Sequence, residues 1–163
     1  GQISVLKKQN IKASDYAKRS IDELFSAALI ENSITKEVRQ SASVIAINDG
    51  RGNFEITELP YQVQLSCVCG ISCRDLNNDG FKDIIMGGNN FEFKPQYSQL
   101  DANFGSVLLS NGGANYEWQN YNESGFYVRG EIKHLQTFSD ANGKMFMIVA
   151  LNNDKPKIFA LND

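Results

Sequence analysis

The spacing of apolar residues divides the chain into a short part with helical periodicity and a long part with strand periodicity. Between residues 14 and 31 the apolar side chains recur at helical spacing, which predicts one amphipathic helix. Ser14 is a suitable N-cap for this helix. After Gln40, short apolar runs alternate with turns rich in Gly, Asn and Asp. We therefore predict an N-terminal extension, residues 1–40, that carries the helix, and a mainly β domain, residues 41–163.

The β domain is predicted to contain about nine short strands separated by turn residues that tolerate a positive φ. The strands fall at about residues 44–47, 54–59, 66–74, 83–87, 105–109, 116–120, 127–138, 145–151 and 156–161. Many short strands joined in this way indicate a sandwich, a barrel or propeller blades. Residues 44–55 and 107–117 resemble each other, since each has an apolar strand, a Gly/Asn turn and an aromatic residue followed by Glu. This internal repeat favours antiparallel, four-stranded blades.

The composition, with 42% hydrophobic and 21% charged residues, is that of an ordinary globular protein. The net charge of −3 and the absence of a basic stripe argue against nucleic acid as a partner. No apolar run approaches the roughly 20 residues that a membrane-spanning helix needs. We therefore expect a protein that neither spans a membrane nor binds nucleic acid.

Three cysteines, Cys67, Cys69 and Cys73, fall within seven residues. Their C-x-C-x3-C spacing differs from the paired C-x2-C units of zinc sites. On one uninterrupted strand all three would share a face, so we expect buried thiols that act as small hydrophobic groups. A disulfide between strand neighbours at i and i+2 would need awkward geometry, and a metal or redox role is the alternative.

The segment from Asp75 to Asp83 has the pattern D-x-N-x-D-G-x-x-D between two predicted strands. Calcium takes six to eight oxygen ligands, and alternate positions of a tight loop can point inward together. Three carboxylates within nine residues would repel one another without a cation. The sequence thus predicts a calcium site with these ligands: the side chains of Asp75, Asn77, Asp79 and Asp83, and a main-chain carbonyl near Phe81.

Two other interpretations of this segment are an EF-hand and a simple Asx-rich turn that binds nothing tightly. With Asp75 as position 1, position 12 is Met86, where an EF-hand has a bidentate Glu. The flanking residues also have strand rather than helix patterns. An EF-hand is therefore excluded, and the Asx-rich turn is the remaining alternative.

Residues 70–85, GISCRDLNNDGFKDII, resemble the FG-GAP/VCBS repeat of integrin-type propellers and many bacterial surface proteins. Residues 42–161 also resemble the C-terminal part of VCBS-repeat proteins of the ASPIC/UnbV (cartilage acidic protein-like) group. The softer matching segments are residues 53–54, 59–60, 64, 87–89, 101–105 and 130–133.

This resemblance implies a β-propeller in which calcium holds the loop between the first two strands of a blade. The implied ligands are those of the loop: Asp75, Asn77, Asp79, Phe81 through its carbonyl, and Asp83. The chain would supply about two and a half blades of such a ring, with exposed edges that favour self-association. The resemblance also implies an extracellular or cell-surface location.

A catalytic constellation is not visible in the sequence. His134 is the only histidine, and no G-x-S-x-G elbow is present. The leading hypothesis is a non-catalytic, calcium-stabilised propeller segment for adhesion, scaffolding or binding of a glycan or protein. The aromatic insertion contributes candidate ligand contacts: Phe91, Phe93 and Tyr97. The alternative is part of a polysaccharide-degrading lyase or hydrolase, with carboxylate candidates identified by residue type alone: Glu92, Asp101, Glu123 and Glu131.

Overall fold

The computed structural model describes residues 4–92 and 98–161 of the chain. Two compact units are distinguished, Gly1–Ser41 and Ala42–Asp163. No helix in the described part is long and apolar enough to cross a membrane.

The described part of the N-terminal unit, residues 4–41, contains four short helices, so the prediction of one helix across residues 14–31 is wrong. The helices are α1 (Ser4–Gln9), α2 (Ala13–Tyr16), α3 (Ile21–Leu24) and α4 (Ala27–Glu31). Ser20 and Ser26 have extended backbones before α3 and α4. The Ser20 amide donates to Glu23 Oε2 over 2.9 Å, which begins a new helix instead of continuing the previous one. At Ser20 the preference of serine for caps over helix interiors overrides the apolar periodicity, and Ser26 occupies the N-cap position of α4 without a side-chain cap hydrogen bond.

The second unit is built from nine strands within the described residues. They are β1 (Val44–Asn48), β2 (Phe54–Glu58), β3 (Val68–Arg74), β4 (Asp83–Gly88), β5 (Ser106–Ser110), β6 (Tyr116–Gln119), β7 (Ile132–Ser139), β8 (Met145–Leu151) and β9 (Lys157–Ala160). A 3-10 turn at Tyr61–Gln64 precedes β3, and a short helix, α5 (Tyr121–Ser124), follows β6.

Each sheet is an antiparallel meander in chain order. The first has two strands (β1-β2), the central sheet has four (β3-β4-β5-β6) and the third has three (β7-β8-β9). The prediction of a mainly β, antiparallel fold is confirmed, and residues 4–92 and 98–161 form no closed barrel. The predicted start of the seventh strand at residue 127 is wrong, because Gly130 has a φ of 123° that interrupts the extended path before Ile132.

Neighbouring residues of β4 and β5 point to opposite sides of the central sheet, and both faces of the sheet are covered. One face packs with residues that follow the first sheet, in a cluster of Leu59, Val63, Ile84, Met86 and Leu108. The other face packs against the third sheet in a cluster that includes Ile85, Val107, Ile132, Leu135, Met147 and Val149. All six residues of β4 are buried, which makes β4 the centre of the core.

The thiols of β3 and the residues before it are more exposed than the sequence predicts. Cys69 and Cys73 are exposed and Cys67 is half-buried, so the prediction of three buried thiols is wrong. The register of β3 on β4 shifts between Val68 and Gly70. Cys69, Ile71 and Cys73 still alternate with more buried residues and share one face of β3, but that face is exposed instead of buried.

Candidate functional site

The acidic loop, residues 75–82, joins β3 to β4 at one end of the central sheet. Two of its residues have positive φ angles, Asn78 at 60° and Gly80 at 89°. Asn and Gly are the residues that adopt this conformation at the lowest cost. The chain can therefore turn sharply, and the side chains of Asn77 and Asp79, on either side of Asn78, both face the main chain of residues 79–81.

The side chains of the predicted ligands accept hydrogen bonds from main-chain amides of this acidic loop. The Asp75 carboxylate accepts from the amides of Asp79 (3.2 Å) and Gly80 (2.9 Å). Asn77 Oδ1 accepts from the Asp79 amide (3.3 Å), and Asp79 Oδ1 accepts from the Phe81 amide (2.8 Å). Asn77 Nδ2 also donates to Asp79 Oδ2 (2.9 Å). Asp75, Asn77 and Asp79 therefore lie together and are oriented by these hydrogen bonds.

Asp83 is fully buried at the first position of β4 and joins three parts of the sheet. Its Oδ2 accepts from the Leu76 amide over 2.7 Å, and its Oδ1 accepts from the Ser110 amide over 2.8 Å. A carboxylate oxygen has more than one lone pair, so both oxygens retain acceptor capacity. Asp83 thus ties the acidic loop to the end of β5.

Phe81 contributes its ring to the neighbouring β5–β6 turn. A methyl group added at Gly112 would come within 3.2 Å of Phe81 Cζ, which shows that the ring lies against this turn. The Tyr116 hydroxyl donates to the Lys82 carbonyl over 3.3 Å. The acidic loop and the β5–β6 turn therefore support each other.

The donor set of the acidic loop suits a hard cation in kind, since every candidate atom is an oxygen. In residues 4–92 and 98–161, no group of three or more His, Cys, Asp or Glu side chains converges so as to hold a metal ion. The Asn77 side chain and main-chain oxygens would have to complete the shell. Five main-chain amides donate hydrogen bonds to the carboxylates of Asp75, Asp79 and Asp83 and so stabilise their negative charge. Repulsion among the carboxylates alone thus does not require a cation.

A shallow cleft of about 480 Å³ lies beyond the other end of β4. Its lining comprises Asn89, Phe91, Asp101, Ala102, Phe104, Arg129 and Gly130. The rings of Phe104 and Tyr127 stack at 5.2 Å, and the Arg129 guanidinium lies 5.9 Å from the centre of the Tyr127 ring. Of the aromatic residues predicted to contact a ligand, Phe91 lines this cleft, and Phe93 and Tyr97 lie outside the described residues.

Asn89 organises the floor of this cleft, a role that sequence reasoning missed. It is 1% exposed, and its Nδ2 donates to the carbonyls of Asn103 (2.6 Å) and Gly130 (2.9 Å). Its Oδ1 accepts from the Asn103 amide over 3.0 Å. The only sequence signal for Asn89 was its place in the Gly-Gly-Asn segment that resembles the repeat family.

Glu131, one of the four carboxylates named as catalytic candidates, is buried and hydrogen-bonded to neighbouring side chains. It is 1% exposed and accepts from Lys133 Nζ (2.8 Å) and from Asn152 Nδ2 (2.6 Å). These hydrogen bonds, from Lys133 first and then Asn152, lower the pKa of Glu131 below its ordinary value. A carboxyl group held ionised in this way is unsuited to act as a general acid.

Glu123, another of these candidates, closes a capping box on α5. Its Oε2 accepts from the Asn120 amide over 3.2 Å. A second cavity, of about 370 Å³, lies between the central and third sheets, and Glu123 and Asn77 are among the residues that line it. The cavity is lined mainly by apolar residues, including Leu76, Ile85, Val107, Phe126, Met147 and Phe159.

No protein family, curated protein or solved structure was found to match this chain. The resemblance to FG-GAP/VCBS repeats therefore depends on the residues of the chain itself, above all residues 70–85.

Proposed function

We propose that this chain is a non-catalytic binding or scaffolding module of β-propeller type, stabilised by one calcium ion in the acidic loop. The observation that carries the proposal is the common orientation of Asp75, Asn77 and Asp79 between two antiparallel strands. With the Phe81 carbonyl and the Asp83 carboxylate, these side chains would supply five oxygen ligands, and water would complete the shell.

Calcium, when bound, neutralises carboxylates and fixes a loop by coordination. The side chains of Asp75 and Asp79 are already held by main-chain amides, so little conformational entropy remains to be lost when an ion binds. Asp83 links the acidic loop to β4 and to Ser110 of β5. Order in this loop is thereby transmitted to the middle of the central sheet.

The order of the sheets supports assignment of this unit to propeller blades. The three meanders follow each other along the chain, and the central one is packed on both faces by the residues of its neighbours. Consecutive propeller blades have this arrangement. On this account the central sheet is a complete four-stranded blade, and the first and third sheets are partial ones. The extracellular or cell-surface location follows from the repeat resemblance.

We place ligand contact at the cleft beside Phe91. Its lining combines aromatic rings with one cation, Arg129, and one exposed carboxylate, Asp101. Aromatic faces with a few polar groups suit sugar rings and peptide side chains. A glycan or protein segment is therefore the class of ligand we propose.

Calcium binding is tested by isothermal titration of protein from which metal has been removed with a chelator. We expect one ion per chain, with binding abolished in Asp75→Ala, because this change removes two acceptor atoms from the acidic loop. Asp49→Ala is a matched control, since Asp49 is a turn aspartate that, like Asp75, accepts main-chain amides. Equal binding by Asp75→Ala and the wild type would contradict the proposal.

Self-association is expected because the two outer sheets present apolar side chains on their outward faces. In the first sheet these include Phe54 and Ile56, which are 57% and 65% exposed, and in the third sheet Ile158, which is 61% exposed. Sedimentation velocity should show a mass that rises with protein concentration and falls in Ile56→Lys. Ile34→Lys, in the N-terminal unit, is the control that should leave the mass unchanged. A monomer at every concentration would exclude this contact.

A further inference from the structure

The thiols of Cys67 and Cys69 lie closer to each other than the main-chain spacing of two residues along a strand. Alternate residues of a strand are separated by about 6.6 Å. The two Sγ atoms are 4.0 Å apart. The two sulfurs are therefore within reach of each other, although the sequence predicts awkward geometry for a disulfide between these positions.

A β-bulge lies at this pair. Val68 pairs with Gly88 and Gly70 pairs with Gly87, so Cys69 is the additional residue on β3. The main chain at Cys67 is also held in place, because the Asn89 amide donates to the Cys67 carbonyl over 3.2 Å. Sγ of Cys69 lies 3.9 Å from the Asn89 carbonyl. Both thiols are thus held at one corner between the start of β3 and the end of β4.

We propose that Cys67 and Cys69 form a dithiol site that reacts with low-molecular-weight disulfides and closes an intrachain Cys67–Cys69 bond. One cysteine thiolate attacks a sulfur of the small disulfide, forms a mixed disulfide and releases one small thiolate. The second cysteine thiolate attacks the protein sulfur of the mixed disulfide, closes the intrachain bond and releases the second small thiolate. In total, two protein thiols are oxidised and one small disulfide is reduced to two thiols.

Access and charge around the pair are compatible with this exchange. Cys69 is exposed and Cys67 is half-buried, so an incoming disulfide reaches the pair from solvent. Burial, and then the neighbouring Cys67, raise the pKa of the Cys69 thiol. Lys133, which is bonded to Glu131, acts in the opposite direction and lowers that pKa. The exchange therefore speeds up as the pH rises and more thiolate forms.

The site lies at the opposite end of β3 from the acidic loop, which follows Arg74. It does not depend on calcium, so its test is independent of the proposed function. Cys73, also exposed and on the same strand, is the natural control.

The test is a mass measurement on folded, reduced, full-length protein. The protein is incubated with oxidised glutathione, quenched with N-ethylmaleimide and then denatured. We expect the wild type to lose two hydrogen atoms and to carry one maleimide, on Cys73. Cys73→Ser should also lose two hydrogens and should carry no maleimide.

Cys67→Ser and Cys69→Ser should each stop at the mixed disulfide and retain glutathione on the remaining thiol. Cys69→Ala gives a second test at an exposed position if Cys67→Ser fails to fold. A wild type that carries three maleimides, or glutathione without loss of two hydrogens, would overturn the proposal. An intrachain bond that includes Cys73, or that forms only in denatured protein, would also overturn it.

Discussion

Replacement of Asp83 by Ala is expected to lower the free energy of unfolding by about 2–5 kcal/mol. Asp83 is fully buried, and its carboxylate accepts the amides of Leu76 and Ser110. The substitution leaves both amides without this acceptor, and a buried unsatisfied donor costs about 1–3 kcal/mol. Urea unfolding followed by circular dichroism measures the loss as a fall in midpoint at constant slope.

Asp83→Asn separates the charge from the shape of this side chain. Its amide group can accept one of the two hydrogen bonds but turns a donor toward the other amide. We therefore expect a loss between that of Asp83→Ala and the wild type. Asp49→Ala, in the exposed β1–β2 turn, should change the midpoint little, since surface positions typically cost no more than about 0.5 kcal/mol. Equal losses at Asp83 and Asp49 would show that Asp83 does not join the acidic loop to β5.

Replacement of Gly88 by Ala is expected to cost about 3 kcal/mol or more, or to prevent folding. An added methyl group at Gly88 would lie 1.9 Å from the Cys67 carbonyl oxygen and 2.9 Å from Val68 Cα. These are main-chain atoms of the paired strand, so no side chain can rotate away from the clash. The end of β4 would separate from the start of β3.

Gly87→Ala is the matched comparison on the same strand. There the added methyl group would meet the end of the flexible Ile132 side chain. A rotation of that side chain relieves most of the contact, so we expect a loss of about 1–2 kcal/mol. The two midpoints are compared by urea unfolding. A loss at Gly87 that equals or exceeds the loss at Gly88 would contradict the close approach of β3 and β4.

The strands were predictable because their signals are local. The alternation of apolar and polar residues and the Gly/Asn turns that determine β1, β2, β8 and β9 all lie within a few residues of each strand. The N-terminal helices were less predictable, since the apolar periodicity continues through Ser20 and Ser26 although both residues begin new helices. There the competition between capping and propagation decided the structure.

Much of the candidate site depends on contacts between distant residues, which spacing does not reveal. The acidic loop was predictable from the positions of Asp75, Asn77 and Asp79. The bond from the Ser110 amide to Asp83 was not, because the two residues are 27 positions apart. The bond from Asn89 to the Gly130 carbonyl spans 41 positions, and no pattern in the sequence indicates it.

The β-bulge beside Cys69 shows the same limit on a smaller scale. Strand alternation predicts one shared, buried face for Cys67, Cys69 and Cys73, whereas in β3 the face shared by Cys69 and Cys73 is exposed. The register of β3 on β4 also shifts by one residue between Val68 and Gly70. The shift depends on how β3 pairs with β4, where Gly88 lies directly against the Cys67 main chain. Pairing of this kind is a property of two strands together.

The central claim is that calcium in the acidic loop stabilises the sheet domain, and thermal unfolding with and without calcium tests it most directly. At a calcium concentration of about 100 times Kd, a site present only in the folded state adds about 2.7 kcal/mol, which corresponds to a rise in Tm of about 5–10 °C. We predict this rise for the wild type and Asp49→Ala, and its loss in Asp79→Ala. If calcium added to wild-type protein that has been verified as metal-free left the Tm unchanged, this would contradict the claim. The acidic loop would then be an Asx-rich turn.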